Sequence, residues 1–311
     1  MRKSKFSVFV IGMLLFPFID QAQTQYARQY IRVAGKKMSY TSFGLATRRP
    51  GEPVILFESG YGGAGSLTST NLYPALSKFA AGIGYDRNGE GGSEEDTLLL
   101  TDADIAGRLH AFLKALDVSP PYLLVGHSLG GPFIRMFVSL YPAEVAGLVF
   151  IDAPDFMLTD QQEEEIRQRF HDEKGVKTMV LPGISSVAND TLWGPLMRHR
   201  AKRLATVFQN GAFREYDSLV PLPDIPVVAL LAYNKALDST RSTPVDRARF
   251  EAVDQFRMLN FAALIAKNHH SEVILLPEYK HFIQTQDPDL VVSAIRRVYE
   301  SAGARVKVSK K

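Results

Sequence analysis

The chain has 311 residues, with 36 Lys and Arg against 33 Asp and Glu for a formal charge of +3, and 46% of it is hydrophobic. That length and apolar content suit one large α/β core or two small ones and argue against disorder. No dense Lys/Arg patch interleaved with aromatics points to nucleic acid, and the lack of any cysteine excludes disulfides, thiol catalysis and Cys-ligated zinc.

Arg2, Lys3 and Lys5 precede Phe6 to Ile19, an apolar run of 14 residues. A charged segment followed by such a run reads as a secretory signal peptide over residues 1–22 and an exported, periplasmic or secreted chain. The run is too short to span a bilayer comfortably, so no stable membrane span is expected after processing. Cleavage is expected near Ala22, although Asp20 departs from the small-residue rule. An uncleaved tether is the competing reading. Removal of the leader takes Arg2, Lys3, Lys5 and Asp20 with it and lowers the formal charge from +3 to +1. An exported chain without cysteine must rely on its core for stability.

Gln29 to Val33 and Lys37 to Phe43 flank Ala34, Gly35 and Lys36 and predict a hairpin. Pro53 to Glu58 predicts a strand, followed by a glycine-rich loop from Ser59 to Ser66. The spacing of Leu72, Leu76 and Phe79 predicts a helix over Thr68 to Ala80, and Ala81 to Tyr85 is a further strand. Asp86 to Ser93 is a loop, and Ile105, Leu109, Phe112, Leu113 and Leu116 make Asp102 to Leu116 an amphipathic helix. Val145 to Ile151 is another buried strand. Continuous apolar strands alternating with helices are the pattern of a parallel sheet covered on both faces.

The alternation breaks over residues 154–223, where Gln161 to Phe170 and Met197 to Phe208 are helical in pattern. It resumes with a strand at Pro226 to Ala232, a long helix at Val245 to Lys267, a strand at Glu272 to Pro277 and a helix at Pro288 to Ala302. The predicted organisation is therefore a core of residues 26–153 and 224–303, a helical cap over 154–223 set above the strand ends, and a solvated basic tail at 304–311.

The chain is organised around Tyr122 to Val138, a strand that turns through Gly126, His127, Ser128, Leu129 and Gly130 into an amphipathic helix. This is the order a nucleophile elbow requires. A turn that tight strains its central residue and needs small neighbours two positions either side, which Gly126 and Gly130 supply. It would hold the Ser128 hydroxyl above the sheet edge with the positive end of a helix behind it. A cap at the helix start is the other use for this serine, but capping does not need glycine on both sides.

A serine nucleophile needs a base, and histidine suits pH 7. Of seven histidines, His110, His171, His199, His269 and His270 fall within a helix, in the cap or before a strand. His127 should point to the other side of the turn and pack there. Only His281, after the last sheet strand and before the last helix, has both the placement and the chain order of serine, acid, histidine. For the acid, Asp152 directly after its strand is favoured over Asp238, which lies several residues past the next strand beyond Asn234, because a strand end fixes a carboxylate better than a long loop. The oxyanion would take the Leu129 amide and one from the loop after Glu58, named as Tyr61 with Gly60 the near alternative. Gly60, Gly62 and Gly65 with Asp86 also satisfy a dinucleotide fingerprint, but glycine loops after strands form oxyanion holes too, and a Rossmann site has no use for His281.

Five ordered motifs carry a resemblance: Glu58 to Gly63, Tyr85 to Ser93, Gly126 to Gly131, Phe150 to Pro154 and His281 to Pro288. Together they resemble the α/β-hydrolase superfamily over nearly everything from Tyr26 to Ala302. The resemblance implies an α/β fold with an eight-stranded, mostly parallel sheet flanked by helices, and a helical cap between the sixth and seventh strands. It also implies hydrolysis of a small-molecule acyl substrate with no cofactor or metal. Two departures stand out. Glu58, Ser59 and Gly60 replace the His-Gly of many members, and the acid stands at Asp152, where some members such as pancreatic-type lipases place it. Members that act on epoxides or carbon–halogen bonds use Asp at the elbow, so Ser128 implies acyl transfer instead. The loop from Asp86 to Ser93 is commonly structural in such proteins, and the resemblance gives it no catalytic role. A serine carboxylesterase is the expectation; a ligand receptor with little turnover is the alternative. Trp193, Leu192, Leu196 and Met197 would line an acyl pocket or pack the cap core.

Overall fold

A computed structural model describes residues 26–60, 64–99, 101–170, 216, 219–233 and 244–308. The leader, Tyr61, the cap helix at 197–208, Trp193 and its neighbours, His171, His199, Asn234 and Asp238 all lie outside the described residues.

In chain order the described elements begin with the hairpin β1 (Gln29–Val33) and β2 (Lys36–Phe43), then β3 (Val54–Glu58), the one-turn α1 (Tyr73–Leu76) and β4 (Ala81–Tyr85). They continue with α2 (Asp102–Ala115), β5 (Tyr122–His127), α3 (Gly130–Leu140), β6 (Val145–Ile151) and α4 (Asp160–Phe170). The chain then runs through β7 (Val227–Tyr233), α5 (Pro244–Ile265), β8 (Glu272–Pro277), α6 (Ile283–Gln286) and α7 (Pro288–Val308).

The strands form one eight-stranded sheet in the order β1-β2-β4-β3-β5-β6-β7-β8. Only the pairs β1 with β2 and β2 with β4 are antiparallel. From β4 to β8 every neighbour is parallel, which explains the continuous apolar runs. Because strand side chains alternate faces, Leu56, Leu124, Leu148 and Phe150 join the core under Leu109, Phe112, Ile134, Phe137 and Phe261. Their neighbours Ile55, Leu123, Val125 and Val149 join the opposite core with Leu72, Val291, Ile295 and Val298. A side chain of this size fully withdrawn from water stabilises by about 1.5–3 kcal/mol, and Phe150 cut to Ala would cost about 3–5 kcal/mol.

Local signals set the helix ends. Thr101 Oγ1 accepts the Asp104 amide and the Asp104 carboxylate accepts the Thr101 amide, a reciprocal cap that starts α2 where its acidic first turn begins. The helix expected over Thr68 to Ala80 is instead a 3₁₀ turn at Thr70–Leu72 followed by α1. Pro74 explains the difference, since proline lacks an amide proton and is tolerated only in a first helical turn. The last helix runs six residues past Ala302, to Val308.

The register brings the carboxyl ends of the central strands level. Glu58 pairs with Gly126, His127 with Ile151, and Ile151 with Leu230. The residues that follow these ends, Ser59, Ser128 and Asp152, therefore emerge along one edge of the sheet.

Candidate active site

At the turn from β5 into α3, Ser128 has φ 51°, a left-handed conformation a non-glycine residue rarely holds without support. Support comes from both sides: its amide donates to the Ile151 carbonyl at 3.0 Å, and its carbonyl accepts the Gly131 amide at 2.9 Å. The flanking glycines are required by contact. A Cβ on Gly126 would sit 2.6 Å from the Gly130 carbonyl oxygen, and one on Gly130 would sit 2.1 Å from that of Glu58. Leu129 is the N-cap of α3, so its amide belongs to the helix-start group with no acceptor inside the helix.

One strand over, Asp152 also takes a left-handed conformation, φ 44°, and its amide donates to the Leu230 carbonyl at 2.7 Å. Its side chain is fully buried, and Oδ2 lies 2.6 Å from His281 Nδ1. A carboxylate can only accept, so Nδ1 carries the proton and Nε2 is left as the basic nitrogen. The other carboxylate oxygen, Oδ1, accepts the Ala232 amide at 3.2 Å and Arg257 Nη1 at 3.0 Å. Arg257, on α5, is itself buried, and its Nη2 holds the Ala232 carbonyl at 2.6 Å and Asp254 at 2.8 Å. It thus ties β6, β7 and α5 together around the acid. Nearby, burial pushes the Asp155 carboxyl above its usual range, against the bonds it accepts from Asn260 and the Met157 amide.

His281 is half-buried, its side chain 41% exposed. Among the described residues Ser128 Oγ has no hydrogen bond to this imidazole. The two residues nonetheless share one edge: Ser128 is bonded to the residue before Asp152, and Asp152 holds His281. Serine–histidine bonds are often long before substrate arrives.

His127 corrects the sequence expectation. It is buried, as anticipated, but it turns towards His281 rather than away. Its Nε2 donates to the His281 carbonyl at 2.9 Å, and the two rings lie 4.7 Å apart. Gly60 makes the room, since a Cβ there would stand 3.1 Å from His127 Nδ1 and 3.1 Å from Ser128 Cβ. The exposed ring of Phe282 completes the cluster, 5.2 Å from His127.

On the other flank, Glu58 and the loop after it rest on Arg87. Arg87 Nη1 donates to Glu58 Oε1 at 2.7 Å and to the Ser59 carbonyl, and Nη2 donates to the Gly60 carbonyl at 2.6 Å. Tyr85 donates its phenol proton to the other Glu58 oxygen. Burial pushes the Glu58 carboxyl up even though Arg87 and Tyr85 pull it down. Burial would lower the Arg87 guanidinium, but the facing Glu90 and Glu58 carboxylates outweigh it and hold it above its usual range.

Two other described histidines have partners away from this edge, and His270 holds a left-handed turn at φ 58°. His110 stacks on Tyr141 at 3.8 Å and reaches Glu144 at 3.0 Å, and His269 pairs with Asp224 at 3.1 Å. The structure therefore groups Ser128, Leu129, Asp152 and His281 at one edge, with Gly60 above the serine. Sequence reasoning missed Arg257. One signal was available: Arg257 is four and eight residues before the buried Phe261 and Ile265, a charge standing in an apolar helical stripe.

Comparison with known proteins gives the context. The family model described as alpha/beta hydrolase fold matches residues 53–192. A putative carbamate hydrolase, RutD, from Cronobacter turicensis is 38% identical over 107 residues, 33% of this chain and 38% of that protein. A probable transporter, efuK, from Hormonema carpetanum is 33% identical over 129 residues, 40% of this chain and 17% of that protein. The chain spans well under half the length of the curated relatives it matches. Among solved structures, a putative lipase from Acinetobacter baumannii superimposes with a TM-score of 0.62 at 17% identity, covering 92% of this chain and 95% of that one. At that identity the likeness establishes the fold.

Proposed function

We propose that this chain, whose residues 53–192 match the alpha/beta hydrolase fold family and whose described residues carry that fold, is a serine hydrolase that cleaves a carboxylic ester or related acyl bond through an acyl-enzyme. The observation that carries the reading is the 2.6 Å contact between Asp152 and His281 at the edge where Ser128 sits in a left-handed turn. Similarity to proteins described as a putative carbamate hydrolase and a putative lipase supports hydrolysis at a carbonyl centre.

In this reading His281 Nε2 takes the Ser128 hydroxyl proton as Oγ attacks the acyl carbon. Asp152 holds the imidazole in the tautomer that makes Nε2 the base, and offsets the positive charge that forms. The Leu129 amide and one from the loop after Glu58, at Tyr61 or Gly60, hold the oxyanion. Collapse expels an alcohol or amine that takes its proton from the imidazolium, and water repeats the sequence on the acyl-enzyme. The substrate is a small acyl compound, and the leader would direct export.

A panel of p-nitrophenyl esters of increasing acyl length is the test. Turnover should be measurable in the wild type and fall about 10⁴-fold or more in Ser128→Ala. Esters bound without turnover would contradict the reading and return the chain to the ligand-receptor class.

A further inference from the structure

Arg87 takes no part in the reaction sequence above, yet it is buried directly beneath the loop that faces the nucleophile. Both of its terminal nitrogens hold main-chain oxygens: Nη1 the carbonyl of Ser59 and Nη2 that of Gly60, at 2.6 Å. The same nitrogens pair with Glu58 at 2.7 Å and Glu90 at 3.1 Å, and the guanidinium lies 4.9 Å from the ring of Phe133 on α3. One planar group therefore joins the end of β3, the loop after it, the loop after β4 and the elbow helix.

In a trans peptide the carbonyl and the next amide proton point in opposite directions, so fixing one aims the other. Holding the Ser59 carbonyl on Arg87 directs the Gly60 amide to the opposite side of that peptide. Residue 60 is also the one whose Cα stands over Ser128, close enough that a Cβ would come within 3.1 Å of the serine Cβ. Two separate observations, the grip on the carbonyls and the approach to the nucleophile, meet at the same peptide.

We propose that Arg87 is a positioning residue for the oxyanion hole, aiming the Gly60 amide through its grip on the Ser59 carbonyl, with the Gly60 carbonyl held beside it. Glu58, at 2.7 Å, is a counter-charge that keeps the guanidinium in place. A lysine would not substitute, because a single ammonium is a point charge where the guanidinium presents a planar fork to several acceptors. This deepens the serine-hydrolase reading and rests on it.

The test uses the full chain, p-nitrophenyl acetate, and butylboronic acid, which adds to a serine hydroxyl and becomes a tetrahedral anion. Arg87→Lys should lower kcat about 100-fold with KM within about threefold, the loss expected when donors shift by about an ångström. Its affinity for the boronic acid should fall by the same factor as kcat/KM, because both report the tetrahedral anion. Glu58→Gln/Arg87→Met removes the ion pair as a unit and should stay as slow as Arg87→Lys. Recovery of kcat in the double variant would show that only charge balance matters and overturn the proposal. So would undiminished boronate affinity in a folded Arg87→Lys protein, or a chain that folds only with Arg87 present. If Ser128→Ala turns over esters as fast as the wild type, the serine reading falls and takes this proposal with it. If turnover depends on Ser128 but the Arg87 variants bind boronate normally, this proposal falls alone.

Discussion

Two buried arginines flank Ser128, and they grip different things. On the histidine side Arg257 holds a side chain, the Asp152 carboxylate, at 3.0 Å, with the carbonyls of Ala153 and Ala232 around it. On the opposite side Arg87 holds the main chain, the carbonyls of Ser59 and Gly60. Each also pairs with a second carboxylate three residues away in sequence, Asp254 for Arg257 and Glu90 for Arg87. The difference teaches how one strand edge fixes two kinds of group. A carboxylate that must present one oxygen to a histidine has its second oxygen occupied, so it cannot rotate. The loop, for which amide donation is proposed, has its Ser59 and Gly60 carbonyls tethered.

That contrast can be broken first at the acid. Asp152→Asn should lower kcat about 10³- to 10⁴-fold, because an amide that offers its N–H to Nδ1 selects the wrong imidazole tautomer. Asp238→Asn should change ester turnover little; the opposite pattern would move the acid to Asp238. A smaller effect is expected one contact further out. Arg257→Met leaves the Asp152 charge buried without its cation, which should cost about 3–5 kcal/mol of stability in urea unfolding. Its kcat should fall about tenfold to a hundredfold through loss of a fixed acid. An Arg257→Met protein of wild-type stability would show that the two arginines are not equivalent anchors.

The contrast also marks what the sequence could carry. The strands β3 to β7 were legible because both faces are covered and their residues read as apolar runs, as in Val227 to Ala232. The elbow was legible because its glycines answer a local steric demand. The placement of His281 beside Asp152 was legible from its position after β8 and its order in the chain. The orientation of His127 was not, because it depends on the absence of a side chain at Gly60, which is distant in sequence and adjacent only once the strands pair. Arg257 was hidden for the same reason: its partner, Asp152, lies 105 positions earlier, and the sequence just before it carries Asp254, Glu251 and Arg249, which make one more charge unremarkable. The α1 segment shows the opposite failure. The spacing of Leu72, Leu76 and Phe79 is helical, but Pro74 restricts what the backbone can do.

The central claim is that Ser128 is an activated nucleophile held in a common frame with His281 and Asp152. Labelling the wild-type protein with a fluorophosphonate and mapping the adduct by mass spectrometry tests it most directly. One adduct is expected, on the peptide that contains Ser128, lost in Ser128→Ala and strongly slowed in His281→Ala. A folded wild-type protein that never labels, or an adduct on a different residue, would contradict it.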